Sequence, residues 1–203
     1  MEEFQFRLAL VCLLLAFVAH RGYYTSRARR ADAAVVEQPA PGRLSRIAGL
    51  LTVPALLSTL AYILNPTWMA WSALPLPIWL RWLGVGLALV GFVLLHWSQL
   101  SLGKNWSDHP RLLAGQEMVV HGPYRWIRHP IYAAFLLILE STLLITANWF
   151  IGLSWILMTG LDVAERIRTE EAMLQNQFGE PYQVYMQSTG RLFPRLLKHQ
   201  GLE

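Results

Sequence analysis

Residues 130–164 read PIYAAFLLILESTLLITANWFIGLSWILMTGLDVA, and this stretch decides the fold. It holds two apolar segments, 130–146 and 149–164, which are separated only by Ala147 and Asn148. A helix that crosses a membrane needs about 20 mostly apolar residues, and fewer if its ends reach the polar interface. We therefore predict two short membrane helices that form a tight antiparallel hairpin.

The rest of the chain has the same apolar character. Hydrophobic residues make up 54% of the 203 residues and charged residues 15%, against about 25% charged in ordinary soluble domains. Three more apolar runs precede the hairpin, from Phe4 to Ala19, from Ile47 to Leu64 and from Ile78 to Leu100. The sequence thus predicts an all-α, polytopic integral membrane protein with five transmembrane helices. We treat residues 1–203 as one domain, with helices 1–3 in residues 1–101 and a catalytic half in residues 102–203.

The distribution of basic residues predicts the orientation. Arginines and lysines follow the first, third and fifth spans, whereas the segment 65–77 after the second span has none. Basic loops stay in the cytoplasm, so the N-terminus should face outside and the C-terminus inside. The net charge of +4 is then explained by the basic residues of the cytoplasmic loops, and no nucleic-acid partner is expected. Compact loops indicate a prokaryotic inner (cell) membrane.

Polar residues that suit catalysis gather in two segments on the predicted cytoplasmic side. Arg128 and His129 precede Pro130, which is favoured in the first turn of a helix. A helix N-terminus beside cations suits an anion such as a carboxylate, although both residues would also serve as headgroup anchors. The hairpin returns Arg166 and Glu170 to the same level, so we expect a pocket that holds a zwitterionic ligand by both ends.

Several common sites are missing from the sequence. There is no glycine-rich dinucleotide or phosphate-binding motif, no serine nucleophile motif, and Cys12 is the single cysteine. The histidines lack the spacing of metal ligands, so no metal is expected. Glu140, inside the fourth span, is by default a functional residue, or else a buried hydrogen-bonding partner of a neighbouring helix.

The C-terminal half resembles the isoprenylcysteine carboxyl methyltransferase family and the related phospholipid N-methyltransferases. The resemblance lies in Gly122-Pro123-Tyr124 and Arg128-His129-Pro130-x-Tyr132, followed by Glu170-Glu171 and Phe178-Gly179-x-x-Tyr182-x-x-Tyr185. It implies a membrane methyltransferase that uses S-adenosyl-L-methionine in a cytoplasmic pocket and transfers a methyl group to a lipophilic acceptor from the bilayer. That acceptor would be a prenylcysteine-like carboxylate, a small thiol or acid, or a lipid amine.

The resemblance also implies roles for particular residues. Arg128, Arg166 and Glu170 would be catalytic, and Arg166 would also bind the substrate. Cofactor contacts would come from two groups of residues: His109, Gln116, Glu117, Met118, Val119 and Tyr124 in the loop, and His129, Pro130, Ile131, Tyr132, Glu170 and Glu171 beside the hairpin. The alternatives are an NADPH-dependent sterol-type membrane reductase, which has a similar Arg-His-x-x-Tyr element, and a membrane scaffold without enzymatic activity.

Overall fold

Long helices dominate the computed structural model, which describes residues 2–30, 35–37, 39–107 and 110–195. In these ranges six α-helices follow one another: α1 (Glu2–Arg30), α2 (Arg43–Leu64), α3 (Ile78–Leu102), α4 (Pro130–Thr146), α5 (Trp149–Phe178) and α6 (Glu180–Ser188). Two short strands, β1 (Val35–Glu37) and β2 (Leu112–Leu113), pair antiparallel. The predicted helical class is confirmed, and the strand pair is an addition to it.

Three of these helices fit a bilayer by length and composition. They lie in Glu2–Ala28, Arg43–Leu64 and Ile78–Asn105, while α4 is a shorter apolar helix of 17 residues. Large apolar side chains on their outer faces are exposed, such as Leu50 at 75% and Val93 at 69%, as expected for surfaces that meet lipid. The chain is an integral membrane protein. The count of five crossings stays a prediction, because α4 and α5 are not among the three.

The predicted hairpin is confirmed, with α4 starting at Pro130. Ala147 ends α4 in the left-handed region at φ 47°, and the side chain of Asn148 caps α5 by accepting a hydrogen bond from Ile151 N at 3.1 Å. Gly152 then lets the helices approach, because a Cβ there would lie 2.5 Å from Leu143 Cβ. Helix α5 continues without interruption beyond the apolar segment to Phe178, as the sequence predicted.

Small residues bring α3 against α4. A Cβ added to Gly84 would lie 2.7 Å from Leu144 Cβ, and one added to Gly91 would lie 2.7 Å from Ile138 Cγ1. Ala88 between them is fully buried. Because lipid tails are as apolar as the helices, close backbone approach and van der Waals contact provide much of the association energy in a membrane.

A buried arginine joins four helices at the end of the bundle where α4 finishes. Arg81 of α3 donates to Glu3 of α1 at 2.8 Å, to the Tyr62 hydroxyl of α2 at 3.0 Å and to the Ile145 carbonyl of α4 at 2.9 Å. The Phe6 ring lies 3.9 Å from its guanidinium carbon. This Arg81 cluster fixes one end of the bundle and lies at the opposite end of α4 from His129.

Candidate functional site

The N-terminus of α4 is fixed by the segment that follows α6. Arg128 N donates to Gly190 O at 2.8 Å, and His129 N donates to Arg191 O at 3.0 Å. The N–H of His129, the N-cap residue of α4, therefore has a partner outside the helix. The C-terminal segment thereby positions the side chains of Arg128 and His129 next to α5.

Glu171 of α5 is the centre of a buried ionic cluster. Its carboxylate accepts hydrogen bonds from Arg128 at 3.0 Å and from Arg191 at 2.6 Å, and His129 Nε2 lies 3.3 Å away. Burial acts to raise the pKa of Glu171, but the hydrogen bonds from His129, Arg191 and Arg128 outweigh it and hold that pKa at about 2. We call these four residues the Glu171 cluster, and its carboxylate is ionised at neutral pH.

His129 connects this cluster to Glu170. Its Nδ1 lies 3.5 Å from Glu170 Oε2, and the Tyr132 hydroxyl donates to the other oxygen of Glu170. Burial opposes a charge on His129, yet hydrogen bonding to Glu170 and Glu171 prevails and raises its pKa above the ordinary value. His129 and the phenol of Tyr132 together hold the Glu170 carboxylate in place.

A cavity of about 200 Å³ lies beside these residues, and we call it the first cavity. Eight of the predicted site residues line it: Gln116, Tyr124, Arg128, His129, Ile131, Tyr132, Arg166 and Glu170. Lining residues that the sequence reading did not assign are Arg21, Leu102, Asn105, Trp106, Ser107, Arg111, Leu112, Phe135, Asp162, Met173 and Leu174. The wall thus combines carboxylates, guanidinium groups and aromatic rings.

Asp162 and Arg166 form an ion pair in this wall. Arg166 Nε donates to Asp162 Oδ2 at 2.6 Å, one helical turn away on α5. Both residues also line a second cavity of about 410 Å³ between α2, α5 and the segment 39–42, which we call the second cavity. Asp162, which the sequence analysis did not assign to the site, thus lies between the two cavities.

The remaining predicted residues lie elsewhere. Glu117 is exposed and pairs with Lys104 at 2.8 Å, while Met118, Val119 and Pro130 are not among the residues that line the first cavity. Glu171 sits behind the wall as the centre of its cluster. His109 falls outside the described residues.

Several of the missed residues come from α1 and the loop after α3, outside the family-like motifs. Arg21 belongs to α1, and its guanidinium carbon lies 5.4 Å from the centroid of Phe135. Trp106 and Arg111 belong to the loop after α3. The only sequence signal for them was their position beside the predicted cytoplasmic ends of apolar spans.

These features define a helical membrane protein with a polar cavity at the junction of α4, α5 and the C-terminal segment. Residues 83–176 match the model of the isoprenylcysteine carboxyl methyltransferase (ICMT) family, which covers a little under half of the chain. The predicted resemblance to that family is confirmed, and the matched segment includes α4 and nearly all of α5.

Two kinds of curated relatives are similar to the chain. A protein-S-isoprenylcysteine O-methyltransferase of Tribolium castaneum is 30% identical over 118 residues, which are 57% of this chain and 42% of the relative. A methanethiol S-methyltransferase of Pseudomonas deceptionensis is 27% identical over 171 residues, which are 73% of this chain and 64% of the relative. The chain therefore spans less than two thirds of the length of these relatives.

One solved structure supports the fold over nearly the whole chain. The eukaryotic intramembrane Ras methyltransferase ICMT has a TM-score of 0.68 and 22% identity, covering 96% of this chain and 68% of that one. At this identity the likeness establishes an ICMT-like membrane fold.

Proposed function

We propose that the protein is an integral membrane methyltransferase that uses S-adenosyl-L-methionine. One observation carries the proposal: the Glu170 carboxylate and several guanidinium groups line the same cavity, the first cavity. A zwitterionic amino-acid group needs this combination, because its ammonium and carboxylate lie close together. The match to the ICMT family supports the same donor.

The chemistry of the lining residues fits the donor. Glu170, held by His129 and Tyr132, would accept hydrogen bonds from its ammonium group. Tyr124 and Trp106 contribute aromatic rings to the lining, against which a nucleobase would pack. Small-molecule pockets usually measure roughly 300–1,000 Å³, so the enclosed part of the first cavity holds only part of such a ligand. The remainder extends through its opening.

Arg128 acts through Glu171 in this proposal. Its Nε and Nη2 donate to Glu171, and its Nη1 donates to the carbonyls of Met186 and Thr189. With its donors engaged in this way, Arg128 positions the carboxylates of α5 and the C-terminal segment. Arg166 and Glu170 are the two predicted catalytic residues that would contact ligand, with Arg166 on the acceptor side.

When bound, the donor supplies an activated methyl group, and the transfer is a displacement in line with the departing sulfur. Such a reaction depends on alignment of the reacting atoms more than on acid–base chemistry. The chain then contributes by binding and orienting the reactants and by excluding water. The α4–α5 hairpin and the buried side chains of Arg128, His129 and Glu171 hold the lining residues in position for this.

We further propose a lipophilic acceptor from the bilayer and a cytoplasmic site. The named substrates of the relatives are an isoprenylcysteine and methanethiol, which support a prenylcysteine-like carboxylate and a small thiol as candidates. A small acid and a lipid amine are the other candidates. The basic residues after α1, α3 and α5 support five crossings with the N-terminus outside and the C-terminus inside. A prokaryotic inner membrane is the proposed location.

Calorimetry with S-adenosylhomocysteine tests the proposal. We expect binding in the micromolar range, weakened at least tenfold by Glu170→Gln, because a hydrogen bond to a charged group contributes about 1.5–3 kcal/mol. Glu180→Gln on the exposed start of α6 is the matched control and should leave the affinity unchanged. An absence of heat in the parent protein, with thermal stabilisation by NADPH, would instead support the reductase alternative.

A further inference from the structure

The segment after α6 runs back along the residues that lead into α4. Gly190 pairs with Ile127 in parallel, so the chain here has the same direction as the chain that enters the apolar helix. Gly190 N also donates to Trp126 O at 3.2 Å, and His129 N donates to Arg191 O at 3.0 Å. The residues that follow Gly190 are therefore directed from the polar site toward the apolar part of α4.

Leu192 shows how far this segment reaches. Its side chain packs on a cluster formed by Tyr132 of α4 with Val163 and Ile167 of α5. Tyr132 lies in the first turn of the apolar segment of α4, and Val163 lies in the last apolar turn of α5. Leu192 thus lies at the depth where both helices enter the predicted membrane region.

Phe193, the next residue, is 78% exposed, the highest value among the large apolar side chains that the structure describes. The turn that carries it is tight, because a Cβ added to Gly190 would collide with Phe193 O. Phe193 is therefore confined to the boundary between the polar site and the apolar segments. A phenylalanine ring that meets water here loses the free energy that transfer to an apolar environment provides.

Exposed tryptophans mark the same boundary on another face of α4. Trp126, whose carbonyl accepts the hydrogen bond from Gly190, is 45% exposed, and its ring centroid lies 5.8 Å from that of Trp97. Trp71 and Trp149 form a similar exposed pair at the other end of α4. Tryptophan is enriched at both interfaces of a membrane. The 17 residues of α4 extend about 25 Å between the two pairs, close to a hydrocarbon thickness of roughly 30 Å.

We propose that Phe193 inserts into the lipid bilayer at the start of α4 and anchors there the C-terminal segment that positions the site. Arg191 of this segment binds Glu171 through its side chain and the start of α4 through its backbone. Lipid contact at Phe193 therefore holds the Glu171 cluster together from outside the protein. The anchor rests on the proposed crossing of the membrane by α4, and its effect on donor binding rests on the proposed function.

The depth of residue 193 in a bilayer tests the anchor directly. In a Cys12→Ser background, Phe193→Cys carries a nitroxide label in vesicles of phosphatidylcholine and phosphatidylglycerol. Power-saturation EPR compares its collisions with oxygen, which concentrates in lipid, and with a water-soluble nickel chelate. We expect oxygen collisions to dominate, as for the lipid-facing reference Val93→Cys on α3. Val184→Cys on α6, whose parent side chain is 57% exposed, is the matched control and should collide mainly with the chelate.

Donor affinity tests the link from the anchor to the site. In lipid nanodiscs, Phe193→Ser should weaken binding of S-adenosylhomocysteine by about fivefold or more, because the segment loses its attachment to lipid. Phe193→Leu keeps an apolar side chain and should stay within about twofold of the parent. Val184→Ser removes another exposed apolar side chain and should leave the affinity unchanged.

Three results would count against us in distinct ways. Dominant collisions of the residue 193 label with the nickel chelate would overturn the anchor, because the ring would then face water. A lipid-like profile with unchanged affinity in Phe193→Ser would overturn the link to the site. A parent protein that binds no S-adenosylhomocysteine would remove the proposed function, whereas the EPR profile would still decide the anchor.

Discussion

Glu171 shows how one carboxylate organises the residues around it. It is 6% exposed, yet it receives hydrogen bonds from Arg128 and His129 just before α4 and from Arg191 after α6. Sequence reasoning assigned it to the cofactor, because it stands beside Glu170 in the family-like motif. Which of two adjacent carboxylates faces a cavity depends on a helix rotation of roughly 100°, and the sequence alone does not determine it.

Glu171→Gln should destabilise the protein by about 3 kcal/mol, because removal of one partner leaves buried cations without their counter-charge. The measurement is the unfolding free energy in detergent micelles at neutral pH. Glu180→Gln, on the exposed start of α6, should have little effect. Equal stability of parent and Glu171→Gln would mean that the cluster contributes nothing to the fold.

The difference in unfolding free energy between the parent and Glu171→Gln should depend on pH in a defined direction. The folded protein holds the pKa of Glu171 at about 2, below its ordinary value of 4.5. The contribution of the ionised carboxylate to stability is therefore fully present above pH 4.5. This contribution is lost as the pH falls toward the pKa that Glu171 has in the folded protein. The stability difference between parent and Glu171→Gln should therefore shrink on acidification through this window.

At the scale of elements, the contact of α3 with α4 depends on glycine positions. Gly84 and Gly91 lie where a methyl group would contact α4 more closely than real side chains allow. Gly86, between them in sequence, faces open space. The same substitution on one helix should therefore have opposite effects at neighbouring glycines.

Gly91→Ala should lower stability by about 1–3 kcal/mol, the usual cost of an extra methyl group in a packed interface. Gly86→Ala should leave it unchanged or raise it by up to about 1 kcal/mol, because alanine is the better helix former. The midpoints of thermal unfolding of the two variants are compared under identical conditions. Similar midpoints for the two would contradict the packing of α3 on α4.

The sequence predicted the elements better than the site. Pro130 marked the start of α4, and Ala147-Asn148 marked the turn, because both signals are local. The first cavity is also lined by Arg21 of α1 and by Trp106 of the loop after α3. No periodic pattern in the sequence relates these two residues to α5. Asp162 was overlooked because its role depends on a second cavity that only the packing of α2 on α5 creates.

For the whole molecule, the proposed orientation in the bilayer places both cavities on the cytoplasmic side, and cysteine labelling tests this orientation. In a Cys12→Ser background, which removes the single cysteine, we expect a membrane-impermeant maleimide to label Thr67→Cys in intact cells. Ser188→Cys, at the end of α6, should react only after lysis. The reverse pattern would place the site on the outer side and would contradict the inference from basic residues.

The two-residue turn after α4 has a consequence for insertions and deletions. His129 and Glu170 meet across a hairpin in which each residue added to α5 before Glu170 would rotate the following side chains by roughly 100°. One inserted residue would thus point Arg166 and Glu170 away from α4, whereas the helices themselves would still form. The number of residues between His129 and Glu170 therefore matters as much as their identity.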